Sequence, residues 1–377
     1  MKNAMSWIDQ EKFEAIVRHA RATNPFYAHW IPDKGEVPLL DRLTFQRNNE
    51  SILNGHGVTA RTSGSTGIPV KIHMSAERRS RDLAGVELLV RHLGGPLPRT
   101  SIVFPSEEPC PADTVPIHMP LQDQLAELLA RYRNRGATAL ITYPSNVELL
   151  SREILKQGSD YRFIKRVGLI SESIDPGQIA LVKQAFPEAQ IWSSYSAMEI
   201  GMISFQCPYE PEYHHAMTEK LGIEILDQQG NECEPGQIGR VVITDYVNRE
   251  MPLIRYEIGD LAAYFERPCP CGKIPFPALK HILGKVRGCL LHSDGRRVPF
   301  ISLSAALRDL PGMVRYQVVQ EVVDEFIVRV HSELPLEKEI LELFRGEFGA
   351  EVGVEMKREE EISREPNGKF YASICKV

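Results

Sequence analysis

The run Thr62-Ser63-Gly64-Ser65-Thr66-Gly67-Ile68-Pro69-Val70 places four hydroxyl side chains and two glycines in its first six residues. Backbone N–H groups left accessible by glycine, joined by hydroxyls, can wrap a polyphosphate. No Lys-Ser/Thr pair follows the second glycine, so the spacing is not that of a P-loop, and a flexible polar turn is the competing reading. Three further segments bear on the choice. Tyr195-Ser196-Ala197-Met198-Glu199 sets a carboxylate beside an aromatic ring after a strand, as a Mg²⁺ site near a purine requires. Arg255-Tyr256-Glu257-Ile258-Gly259-Asp260 ends in a carboxylate able to accept hydrogen bonds from two vicinal ribose hydroxyls. Pro366-Asn367-Gly368-Lys369 carries a lysine on a turn where the chain can move. Singly, each has a duller meaning: Glu199 a charge at a helix start, Asp260 a turn residue, Lys369 a solvated tail.

A second constellation consists of Cys207, His214 or His215, Cys269 and Cys271. Thiolates and an imidazole from separate loops can complete a tetrahedral Zn²⁺ site. Cys-x-Cys is a less diagnostic spacing than Cys-x₂-Cys, and the two adjacent histidines are not separable by sequence. Buried free thiols are the alternative. Cys110, Cys233, Cys289 and Cys375 show no partner pattern.

The elements that must position these residues are read from periodicity. Helical spacing covers 12–21, 78–93, 121–134, 147–157 and 176–186, and short apolar strands fall at 70–74, 101–104, 139–142, 163–170 and 190–193. Strands alternating with helices over this stretch predict a largely parallel α/β sheet. Beyond Lys220, strands at 221–226, 239–244 and 260–265 joined by Gly/Pro turns predict an antiparallel β segment. After Gly284 the order is helix (300–310), two alternating strands (314–320, 326–331), helix (336–348) and strand (352–357), a small α+β unit. The expected organisation is α/β, with a large N-terminal domain, 1–283, and a small α+β C-terminal domain, 284–377, on a hinge near Gly284–Arg287.

Composition bounds the function. A chain of 377 residues with a formal charge of −6 and no clustered Lys/Arg run has no electrostatic footprint for nucleic acid. No apolar run approaches the ~20 residues that span a bilayer. The first ten residues are polar, unlike a secretory signal, and seven scattered cysteines suit a reducing compartment, so a cytoplasmic location is expected.

Together and in this order, the four segments resemble the adenylate-forming superfamily of acyl-CoA synthetases and peptide adenylation domains. More narrowly, the chain is similar to the branch of phenylacetate-CoA ligases and coenzyme F390 synthetases. Asn24-Pro25-Phe26-Tyr27, Tyr143-Pro144-Ser145, Gly239-Arg240-Val241-Val242-Ile243-Thr244, Met251-Pro252-Leu253-Ile254-Arg255-Tyr256 and Cys269-Pro270-Cys271-Gly272-Lys273 are the marks of that branch. The resemblance runs from about Phe13 to Lys369.

It implies activation of a small, aryl carboxylic acid by MgATP to an acyl-AMP, with release of pyrophosphate, then acyl transfer to a thiol, coenzyme A first. Transfer to a carrier protein or an amine is the runner-up, and F390-type chemistry would attach AMP to a deazaflavin hydroxyl. A homodimer is left open. Ser63, Gly64, Ser65, Thr66 and Gly67 would cradle the ATP phosphates, Tyr195 would lie by the adenine and Glu199 would hold Mg²⁺. Asp260 would bind the ribose hydroxyls, Lys285 stands where an Arg is usual near the ribose, and Lys369 matches the lysine that bridges substrate carboxylate and α-phosphate. The branch also shows a Cys…His…Cys-x-Cys pattern, matched here by Cys207, His215 (or His214), Cys269 and Cys271, for structural zinc. Ile68, Met198, Arg287 and Ser171-Glu172-Ser173 depart from the usual Lys, Thr/Ser, hinge Asp and Gly-Gly-Glu, and Lys71 is a candidate for the cation missing at Ile68. Tyr143, Trp192 and Phe205 are candidates for an aryl pocket, with plain core as the alternative. A degenerate nucleotide-binding homologue is the reading from another class; retention of Glu199, Asp260 and Lys369 argues against it.

Overall fold

The computed structural model describes residues 7–54, 58–61, 70–103, 111–172, 174, 176–285, 289–364 and 370–377. These fall into two compact units, Met1–Leu97 with Trp192–Ile282 and Pro98–Ile191 with Leu283–Val377.

The first unit opens with α1 (Gln10–Thr23) and α2 (Pro25–Trp30), joined by Asn24. The Asn24 N–H closes α1 on Ala20, while its side chain accepts from the N–H groups of Phe26 and Tyr27 and so caps α2, with Pro25 at the first position. Its amide also donates to the Ile52 carbonyl and to Asn54, so the Asn-Pro-Phe-Tyr segment is a tied helix corner. After α3 (Arg42–Arg47) and α4 (Asn49–Ile52), β1 (Val58–Arg61) pairs antiparallel with β2 (Lys71–Met74), leading into α5 (Ala76–His92). The hydroxyl- and glycine-rich segment 62–69 falls between these two paired strands and lies outside the described residues.

The unit resumes with β7 (Gln190–Ala197), β8 (Gly201–Gln206), β9 (His214–Ala216), β10 (Leu221–Leu226), β11 (Gly239–Asp245), β12 (Tyr256–Tyr264) and β13 (Ala278–Lys285). They run in the order β10-β11-β12-β13-β9-β8-β7. Within this sheet antiparallel pairing therefore begins at β7–β8, earlier than the turn pattern beyond Lys220 suggests. The reason is local: β8 is buried on both faces from Met202 to Gln206, so it shows no alternation to read.

In the second unit, β3 (Arg99–Val103), β4 (Thr114–Pro116), β5 (Ala139–Thr142) and β6 (Arg166–Leu169) pair in parallel in the order β6-β5-β3-β4. Helices α6 (Leu121–Arg135), α7 (Pro144–Gln157) and α8 (Pro176–Ala185) intervene, which is the expected parallel α/β pattern. The chain from 289 onward forms β14 (Cys289–Leu291), β15 (Arg297–Pro299), α9 (Phe300–Arg308), β16 (Met313–Val322), β17 (Glu325–Ser332), α10 (Glu337–Phe348), β18 (Gly353–Arg358) and β19 (Ser373–Cys375). Its four-stranded sheet runs β18-β17-β16-β19, matching the α+β reading. Three apolar cores result, one in the first unit, one under β3–β6, and one formed by residues from Leu290 to Val352. Among the described residues no helix is long and apolar enough to cross a membrane.

Candidate active site and metal centre

Glu199 sits in the turn between β7 and β8 and is 4% exposed. The chain reverses there through Gly201, whose φ of +79° only glycine adopts readily and where a Cβ would run into the Asp82 carboxylate. Buried Arg78 fixes the turn from beneath. Its guanidinium donates to the carbonyls of Met198 (3.0 Å) and Glu199 (2.9 Å), a forked grip that an ammonium could not make. Asp82 pairs with both Arg78 and the buried Lys220, so one carboxylate is shared by the two cations beneath the turn.

The Glu199 carboxylate takes its hydrogen bonds on one oxygen. Oε1 accepts from Arg42 Nη1 (3.2 Å) and from the Tyr256 hydroxyl (3.1 Å), and Arg42 also donates to that hydroxyl (3.3 Å). Burial, then the nearby Glu199, hold the Tyr256 phenol far above its ordinary value, so it stays a donor. Burial alone would lower Arg42, but the facing Tyr256 and Glu199 outweigh it and the guanidinium is held above its ordinary value. Oε2 takes no hydrogen bond from the described residues, the vacancy that a carboxylate ligand of Mg²⁺ needs. Close by in sequence, the Tyr195 hydroxyl on β7 donates to Asp260 Oδ2 on β12 at 2.7 Å. Burial first, and the Asp260 charge second, keep that phenol protonated. The fold thus gathers Tyr195, Glu199, Tyr256 and Asp260, drawn from two strands and a turn, with Arg42 from α3.

Ser63, Gly64, Ser65, Thr66, Gly67, Ile68, Arg287 and Lys369 lie outside the described residues. Of Lys285 only its place at the end of β13 is described. Lys71 is engaged with Glu50 at 2.6 Å. Phe205 is fully buried in the first unit's core and Tyr143 belongs to the core under β3–β6, so these two are core residues. Arg42, Arg78 and the hydroxyl of Tyr256 are site residues that the motifs did not assign. The available signal was charge placement: Arg42 opens α3 and Arg78 lies in the first turn of α5, where the helix dipole disfavours a cation unless another acceptor holds it.

The second constellation comes together at one end of the antiparallel strands. Cys207 follows β8, His215 is in β9, and Cys269 and Cys271 are in the loop between β12 and β13; their ligand atoms all lie within 4.8 Å of one another. Cys207 and Cys269 sulfurs are 3.8 Å apart, and Cys271 Sγ is 3.8 Å from His215 Nε2. Tetrahedral zinc with ordinary Zn–S and Zn–N lengths needs ligand separations of about 3.5–3.8 Å. His215 Nδ1 bonds the Phe276 carbonyl at 2.8 Å, which fixes the tautomer and leaves Nε2 as the ligand atom. Its neighbour His214 points to the other face of β9, with Nε2 3.4 Å from Ser193 Oγ. Burial raises the Cys207 thiol and pushes Cys269 up to about 12; Cys271, although burial acts against it, is lowered by the N–H groups of Lys273 and Ile274. The donor set, three thiols and one imidazole, fits zinc.

No protein-family profile matches the chain. The fold is one that solved ligase structures share. Among solved structures, 2-hydroxyisobutyryl-CoA ligase in its postadenylation state with 2-HIB-AMP superposes with a TM-score of 0.74 at 17% identity, over 97% of this chain and 88% of that one. The amide bond synthetase McbA from Marinactinospora thermotolerans gives a TM-score of 0.58 at 16% identity, over 82% and 66% of the two chains. In sequence, the chain is similar to the phenylacetate-coenzyme A ligase of Thermus thermophilus, 29% identical over 143 residues, which is 37% of this chain and 32% of that ligase. The match thus spans about a third of the curated relative's length. Fold and matched segment agree with the resemblance read from the motifs.

Proposed function

We propose that the protein activates a small carboxylic acid with MgATP to an acyl-adenylate, releasing pyrophosphate, and passes the acyl group to coenzyme A. The observation that carries this reading is the burial of Tyr195, Asp260 and Glu199, the adenine, ribose and metal positions implied by the motifs, with Tyr195 donating to Asp260 at 2.7 Å and Tyr256 donating to Glu199 at 3.1 Å. Asp260, oriented by Tyr195, accepts the ribose hydroxyls. Glu199, oriented by Arg42 and Tyr256, would hold Mg²⁺, which would supply charge neutralisation at the phosphates. Residues 63–67 cradle those phosphates, Lys285 lies by the ribose, and Lys369 brings substrate carboxylate and α-phosphate together.

Similarity to a phenylacetate ligase favours an aryl acid and a thiol acceptor. An amine acceptor is the second reading, favoured by the superposition on an amide bond synthetase; a carrier protein is a third acceptor. Cys207, His215, Cys269 and Cys271 hold a structural zinc, as their tetrahedral spacing supports, and reduced thiols suit the cytoplasm. The separate core of the chain from Leu290 onward supports a C-terminal domain, 284–377. The test is acid-dependent exchange of pyrophosphate into ATP across a panel of aryl and alkyl acids. We expect Mg²⁺-dependent exchange with at least one acid; no exchange with any acid would overturn the reading.

A further inference from the structure

A polar knot at the start of α7 plays no part in the reading above. Ser171 follows β6 with φ +67°, a left-handed conformation uncommon for serine, and this turn brings Glu172 to the N-terminus of α7. Glu172 Oε2 accepts the backbone N–H of Ser145 at 2.9 Å, and Oε1 accepts the Ser145 hydroxyl at 3.1 Å. The α7 cap residue, Tyr143, supplies no side-chain acceptor, so a carboxylate from a neighbouring strand end satisfies the helix start instead.

The same carboxylate reaches the C-terminal segment. Glu172 Oε1 accepts the N–H of Phe370 at 2.9 Å and stands 3.9 Å from Arg364 Nη1. Arg364 donates to Ser145 Oγ (2.8 Å) and to Asn146 Oδ1 (3.4 Å). Arg315 lies over the Phe370 ring, its guanidinium carbon 3.8 Å from the centroid. Burial first, and the Arg364 charge second, lower Arg315 to about 10, and Glu172 opposes both effects. A carboxylate only 7% exposed is therefore what makes two half-buried guanidiniums tolerable in one place.

Arg364 and Phe370 are the described residues on either side of 365–369, and one side chain engages both. We propose that Glu172 is a positioning residue for adenylation: it ties Arg364 and the Phe370 backbone to the start of α7, and so anchors both flanks of the segment that carries Lys369. The proposal rests on the role of Lys369 given above. A carboxylate that merely capped α7 would affect stability and both half-reactions alike.

Glu172→Gln keeps the shape and one acceptor oxygen but removes the charge; Arg364→Gln removes the other partner. Each should lower the kcat of ATP–pyrophosphate exchange roughly 10- to 100-fold, the range of a lost charge-assisted hydrogen bond, with KM for ATP within about twofold. Thioester formation from supplied acyl-adenylate should be unchanged, and the double variant should be no slower than either single one. Hydrogen exchange supplies a readout independent of turnover: the Phe370 amide should exchange faster in Glu172→Gln, while amides of β16 and β17 keep their protection. Wild-type exchange at Phe370 would overturn the tie. Unchanged adenylation, or equal slowing of both half-reactions with a lowered melting temperature, would overturn the positioning role. If the unmodified protein adenylates no acid, the functional reading fails, and the Phe370 amide alone then decides whether the tie exists.

Discussion

Two buried carboxylates near the β7–β8 turn are held in different ways. Glu199 is gripped on one oxygen by a cation and a phenol, whereas Asp260 receives the hydroxyl of Tyr195. If Asp260 takes the ribose hydroxyls, Asp260→Ala should raise KM for ATP by the equivalent of ~2–3 kcal/mol, roughly 30- to 150-fold, with a smaller change in kcat. Tyr195→Phe is the control, since it removes the 2.7 Å bond but keeps the carboxylate. Steady-state kinetics with ATP varied would decide it, and an unchanged KM would remove Asp260 from the nucleotide site. At this scale the carboxylates could be read from their local segments because each closes a short motif, Tyr195–Glu199 and Arg255–Asp260. Arg42 and Arg78 could not: their partners lie 157 and 121 residues away, and only their odd placement in helix first turns hints at them.

Among the elements, β9 shows how little one strand must do to separate two identical side chains. Alternation sends His215 toward Cys271 and His214 toward Ser193, a choice that needs the register of β9 against β8 and β13. The helices of 98–191 were readable from their apolar faces and its parallel strands as short apolar runs between those helices, and the α+β pattern after 289 was readable from its own periodicity. Strands β8, β9 and β13 escaped because the first is buried on both faces and the others are defined by their partners more than by their composition. If the cluster of Cys207, His215, Cys269 and Cys271 holds zinc, the metal would tie these strand ends together. Elemental analysis should find about one zinc per chain, a strong chelator should lower the melting temperature, and Cys269→Ser should abolish binding. Metal-free protein that melts normally would remove zinc from the account.

For the molecule as a whole, three separate cores set the framework for Lys369. A cation that meets transition-state charge in a closed site contributes on the order of 3–4 kcal/mol, so Lys369→Ala should slow adenylation roughly 10²–10³-fold. ATP affinity and thioester formation from supplied acyl-AMP should barely change, and separate assays of the half-reactions would check this; full adenylation activity would hand the role to another cation. The pairing of 1–97 with 192–282 in one unit has a further consequence, for the order in which the molecule can be built on the ribosome. The Asp9 N–H is held by the Tyr246 hydroxyl, Tyr27 donates to the Pro252 carbonyl, and Leu40 bridges to Tyr256. At ~5–20 residues per second, the early helices wait roughly ten to forty-five seconds for those partners, while the intervening 98–191 segment has its own core and local parallel pairings to fold on. The nascent chain should therefore mature from the middle outward, with the apolar faces of α1, α2 and β2 exposed to chaperones until residue 256 has left the exit tunnel.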